Sequence, residues 1–107
     1  MGTDDIWGPA FRALDDVHRR RLLVALLECS DPDDTVAVPE AVHEGDPPLE
    51  RLQIDLYHRH LPLLEEFGYV RWDRDAHRVG RGDSFEEIRP VLRTLHDRRD
   101  GLPDGWV

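Results

Sequence analysis

Apolar residues recur at three- and four-residue steps in three stretches of this 107-residue chain, and Pro-, Gly- and Asp-rich punctuation separates the stretches. Such spacing lines one side of a helix with apolar side chains, and that stripe has to be covered. In the first stretch Phe11 and Leu14 share a face, Asp15-Asp16 caps a new helix, and Val17, Leu22, Leu23, Leu26 and Leu27 follow. The second runs from Leu49 to Phe67 through Leu52, Leu56, Tyr57, Leu61 and Leu64, with Pro62 predicting a kink or short break near Arg59 to Leu61. The third carries Phe85, Ile88, Val91, Leu92 and Leu95 behind Ser84 and Glu87, which have capping-box spacing, with a bend expected at Pro90.

The intervening segments read differently. Ser30 to Thr35 is a loop, Val36 to Val38 a short strand, and Val38 to His43 a short helix opened by Pro39. After the turn Glu44 to Pro48 and the second helix, Gly68 provides a left-handed cap. Tyr69 to Asp73 and His77 to Gly80 then read as two strands around a tight turn, with Val70 and Trp72 on one face and Val79 meeting them. The tail from Asp100 to Val107 is punctuated by Gly and Pro, with Trp106 expected to dock.

A chain of this length builds one domain. The core is expected over about 7–82, a C-terminal helix over about 84–100 and a tail over 101–107. The longest apolar run, Leu22 to Leu27, has six residues, far short of the ~18 that a membrane span needs. The N-terminus opens acidic, without the basic and apolar regions of a secretory signal, so a soluble, cytoplasmic protein is expected. A lone cysteine, Cys29, excludes an internal disulfide and a cysteine-rich zinc site and reads as a small buried side chain.

The net charge is -9, all 14 basic residues are arginine, and the 23 acids comprise 15 Asp and 8 Glu. A GC-rich genome favours arginine codons but does not by itself favour aspartate this strongly. Short hydrated carboxylates and planar guanidinium groups expose less apolar area than lysine stems. The composition therefore predicts a protein that works in concentrated salt.

The predicted fold is mainly α with a small β-hairpin, and the order of elements is that of a winged helix-turn-helix: a three-helix core, a wing and a C-terminal helix. Leu14 to Leu23, where acids precede Arg19-Arg20-Arg21 and then leucines, resembles the opening helix of arsenic-repressor-like transcriptional regulators. His58 to Val70 resembles the end of their recognition helix and the first wing strand. The whole chain, including Phe85 to Pro90 and Leu102 to Val107, is similar to a family of haloarchaeal winged-helix domains of undetermined function.

The resemblance implies a DNA-binding regulator whose recognition helix enters the major groove. Its exposed face would offer Arg51, Gln53, Asp55, His58 and Arg59, although Asp55 would repel phosphate. The wing holds Arg71, Arg74, Arg78 and Arg81 against Asp73 and Asp75, a local charge of +2 that points to nucleic acid unless these arginines pair with nearby carboxylates. Arg19, Arg20 and Arg21 point in three directions on a helix and are expected to pair with Asp15, Asp16 or Glu28.

His58 and His60 lie on different helix faces with no third ligand at suitable spacing, so no metal is expected. No nucleophile elbow, phosphate loop or paired-histidine motif marks an enzyme, and no cofactor is implied. Trp7, Trp72 and Trp106 read as packing anchors, or as an interface where exposed. The stripe Phe85, Ile88, Val91, Leu92 and Leu95 either folds over the core or pairs with its copy, or with Trp7 and Phe11, in a second subunit. A two-fold pair also doubles the DNA contacts, which favours a homodimer. Double-stranded DNA is the expected partner. The competing reading is an interaction or dimerisation module of the same fold that does not bind DNA.

Overall fold

Two adjacent aspartates divide the first apolar stretch into α1 (Trp7–Leu14) and α2 (Val17–Leu27). Asp16 is extended, and its Oδ1 accepts from the backbone N–H groups of His18 at 2.8 Å and Arg19 at 3.4 Å. The first orphan donors of α2 are thereby satisfied, as the sequence predicts. The computed structural model describes residues 5–107, so residues 1–4 of the expected domain lie outside it. Cys29, just beyond α2, is half-buried rather than buried.

β1 (Thr35–Ala37) leads into a 3-10 turn (Glu40–Val42), and two further strands, β2 (Val70–Asp73) and β3 (Arg78–Arg81), form the expected hairpin. The hairpin does not stand alone. β1 pairs antiparallel with β3, giving a three-stranded sheet of order β1-β3-β2. Trp72 stands opposite Val79 and Val70 opposite Arg81, so one face of the sheet covers the helices with Val70, Trp72 and Val79. Arg71, Asp73 and Arg78 alternate to the other face and are exposed.

The second apolar stretch folds as α3 (Leu49–Asp55), a π-helical turn (Leu56–His60) and α4 (Leu61–Glu66). A regular helix would drive the Pro62 ring into the carbonyl of His58 and leave that carbonyl without its donor. The wider turn relieves this. The Leu61 N–H reaches back five residues to the Leu56 carbonyl, and the helical path continues past the proline. The expected break is therefore a bulge that turns consecutive residues His60 and Leu61 into the core.

α5 (Phe85–Asp97) runs through Pro90 without interruption and packs on α2. The predicted capping box is absent, because Ser84 makes no side-chain cap and its N–H is taken by the Gly68 carbonyl at 2.8 Å. Gly82 crosses Gly68 so closely that a Cβ there would stand 2.3 Å from the Gly68 oxygen. One hydrophobic cluster joins all these parts, with Leu22, Leu23, Leu26, Leu52, Leu56, Leu61, Leu64, Tyr69, Phe85, Ile88 and Leu92 at its centre. Each such large side chain contributes about 1.5–3 kcal/mol by leaving water. Among the described residues no helix is long and apolar enough to cross a membrane.

Candidate nucleic-acid interface

The outward face of α3 is set by its inward one. Leu52 and Leu56 are fully buried, so the opposite side, with Ile54 two positions from each and Arg51 and His58 three before and four after Ile54, turns to solvent. Arg51, His58 and Arg59 are exposed, and no ion pair among the described residues involves them. Asp55 is half-buried. Gln53 departs from the expectation: two residues from Arg51, it cannot share that face, and it lines a groove with Val38, Glu40, Ala76 and His77 beside the hairpin turn.

Between these positions stands Ile54, 60% exposed and absent from the sequence-level candidates. Its signal was its phase, out of step with the leucine stripe. The Tyr57 hydroxyl joins the Val38 carbonyl (3.3 Å) to the Nδ1 of His77, at the turn between β2 and β3. The Tyr57 ring also stacks on His77 and meets Trp72 edge-on at 4.9 Å. The hairpin turn is thereby tied to the helix.

The four hairpin arginines are not equivalent. Arg81 is the clear correction: it shares the inward parity of Val79, its side chain is 11% exposed, and its Nη2 and Nε donate to the Leu26 carbonyl at 2.9 and 3.2 Å. A guanidinium that closes the C-terminus of α2 is not available to DNA. Arg78 spans to β1, with Nε on Thr35 Oγ1 at 2.6 Å and Nη2 on the Thr35 carbonyl at 2.8 Å. Arg71 pairs with Asp83 at 3.0 Å, and Arg74 lies over the Trp72 ring at 4.2 Å. All four line an open cleft of about 810 Å³, where Asp33 joins Asp73 and Asp75. The local +2 of the sequence is thus reduced by an acid from the β1 side.

Compared with known proteins, the chain matches no family model, no curated protein sequence and no solved structure. Its geometry therefore stands as the basis for any functional reading.

The C-terminal stripe requires a second correction. Phe85, Ile88 and Leu92 are at most 1% exposed and belong to this chain's own core, because α5 lies on α2; they cannot meet a partner. Val91 and Leu95 are half-buried. The expected Trp7 and Phe11 do face solvent, at 51% and 64% exposure, with ring centroids 5.6 Å apart.

The three consecutive arginines diverge as expected, but to different partners. Arg19 is buried and donates to the carbonyls of Arg12 (2.9 Å) and Ala13 (3.3 Å) and to His60 Nδ1 (3.0 Å). Arg20 holds the tail through the carbonyls of Trp106 (2.7 Å) and Gly105 (3.1 Å), and Arg21 meets Glu44 at 3.4 Å. Glu28 bonds His96 instead, whose other nitrogen accepts from the Trp106 indole.

His58 is exposed and His60 is 1% exposed, on different faces as their spacing requires. The tertiary fold nevertheless gathers Asp16, His18 and His60, with one potential ligand atom from each within 4.8 Å of the others. The chemistry of the donor set opposes a cation. A metal-bound histidine donates its second N–H to an acceptor, whereas His60 Nδ1 faces the donor Arg19. Burial first, and then the positive charge of Arg19 and Arg59, hold the His60 imidazole near a pKa of about 4, against the opposing pull of Asp16. The cluster is a neutral-histidine hydrogen-bond network joining α2 to the π turn.

Proposed function

We propose that this chain is a winged helix-turn-helix DNA-binding transcriptional regulator, homodimeric, cytoplasmic and adapted to concentrated salt, with no catalytic role. The observation that carries the reading is the outer side of α3 and the following π turn, where Arg51 on α3 and His58 and Arg59 on the turn stand exposed and outside any ion pair among the described residues, while Arg19, Arg20, Arg78 and Arg81 brace the fold. Support comes from the arrangement around it: a helix, the 3-10 segment and the α3–α4 path beneath a β1-β3-β2 sheet, with the hairpin turn tied beside that path. Such an arrangement supports a reading in which the α3 side enters the major groove and the hairpin touches phosphate. Arg74, exposed at the hairpin turn and outside any ion pair among the described residues, is the wing residue proposed for such a contact, and Trp7 with Phe11 is the proposed dimer face.

In about 1 M KCl the screening length falls to about 3 Å, so long-range repulsion between an acidic protein and DNA is suppressed and close contacts carry selectivity. Selection from a randomised duplex library at that salt tests the reading. Enrichment of a defined sequence is expected, with about tenfold weaker binding by Arg51→Ala and by Arg59→Ala, the size of one good base-edge contact. No enrichment by the wild-type chain, from low to molar salt, overturns it. The exposed Trp7–Phe11 pair also fits an interaction module, and self-association without DNA selection would favour that alternative.

A further inference from the structure

Ile54 is one of a few large apolar side chains that face solvent, and it lies away from the Trp7–Phe11 pair, between Arg51 and His58. The chain has a mean hydropathy of -0.59 and a strongly charged exterior, yet a branched apolar side chain stands 60% exposed near the C-terminal end of α3. It lies on the side opposite Leu52 and Leu56, three residues after Arg51 and four before His58. An apolar point flanked by unpaired cationic and imidazole groups is complementary to a particular surface, the major-groove edge of a base pair carrying a methyl group beside a polyanionic backbone. Thymine alone among the four bases presents that methyl, and an apolar side chain is what reads it.

We infer that Ile54 is a specificity-determining residue that packs on a thymine methyl, so that the site bound by this chain favours a T·A pair opposite the C-terminal end of α3. The inference rests on the DNA-binding reading above. Concentrated salt strengthens it: screening weakens the ionic contacts of Arg51 and Arg59, while an apolar contact is not screened. Asp55, half-buried next to Ile54, disfavours phosphate there and leaves this part of the helix to base edges.

The test replaces single thymines by uracil in the duplex selected by the wild-type chain, which removes one methyl and no hydrogen-bonding group. Wild type is expected to bind one such duplex about fourfold more weakly, the effect of one buried carbon. Ile54→Ala, an exposed substitution checked for unchanged thermal unfolding, is expected to bind the thymine and uracil duplexes equally. Wild-type binding that is selective but indifferent to every uracil overturns this inference and leaves the DNA reading standing. Absence of selective binding overturns both. If Ile54→Ala lowers self-association in sedimentation and leaves the uracil effect intact, Ile54 belongs to an interface between copies and the inference fails.

Discussion

At the scale of single residues, His60 shows how a polar side chain is recruited into a core. Its sequence neighbours mark only a histidine beside a proline, but the π turn carries it inward, where Arg19 Nη1 donates to Nδ1 at 3.0 Å. The neutral form is the one that can accept. Burial first, then the positive charge of Arg19 and Arg59, lowers the imidazole pKa to about 4 in the folded chain, against 6.5 for an ordinary histidine. Between those values the unfolded chain binds more protons than the folded one, so stability rises with pH across the window and is lost as pH falls from about 6.5 to about 4. The loss amounts to roughly 3 kcal/mol at most. Urea unfolding between pH 4 and 7 measures it. His60→Gln, which keeps an acceptor for Arg19 and cannot titrate, is expected to flatten the profile; an unchanged slope in the variant would locate the effect elsewhere. The sequence places Asp16 and Arg19 together at the start of α2, but His60, 41 residues after Arg19, joins them only through packing, so its titration was not legible there.

At the scale of elements, the helices were readable because their signal is local. Leu22, Leu23, Leu26 and Leu27, or Leu52, Leu56 and Leu64, recur at the helical period and all are buried. The hairpin was readable from Val70, Trp72 and Val79. The end of α2 was not, since its closing group comes from β3. Arg81 was counted by its charge, when the period-two alternation from Val79 already placed it inward. Arg81→Met keeps most of the stem and removes the donors, leaving the Leu26 and Leu27 carbonyls without their guanidinium partner. A loss of about 2 kcal/mol is expected in chemical unfolding. DNA affinity of the folded variant should match wild type, and a tenfold weakening would return Arg81 to the interface. Ser84 teaches the converse: its capping-box spacing is correct, but a backbone contact to Gly68 holds it in a conformation that makes no cap.

For the whole molecule, charge decides behaviour in salt. A chain of -9 that carries its cations only as arginine repels itself at low ionic strength. Added KCl screens that repulsion, so thermal unfolding is expected to shift upward from about 0.1 M to molar KCl, a range over which the screening length falls from about 10 Å to about 3 Å. A melting temperature that does not rise would separate the composition from salt adaptation. Sequence by itself determined the order of the main helices and strands, the leucine faces of the helices and the acidic composition, because periodicity, capping and net charge are written in near neighbours and sums. Only the tertiary structure decided which apolar stripe stays covered, which arginines are bound to carbonyls and which stand free along α3 and the π turn. Those outcomes depend on contacts between residues tens of positions apart, such as Arg81 with Leu26, Arg19 with His60 and α5 on α2, and no local pattern encodes them.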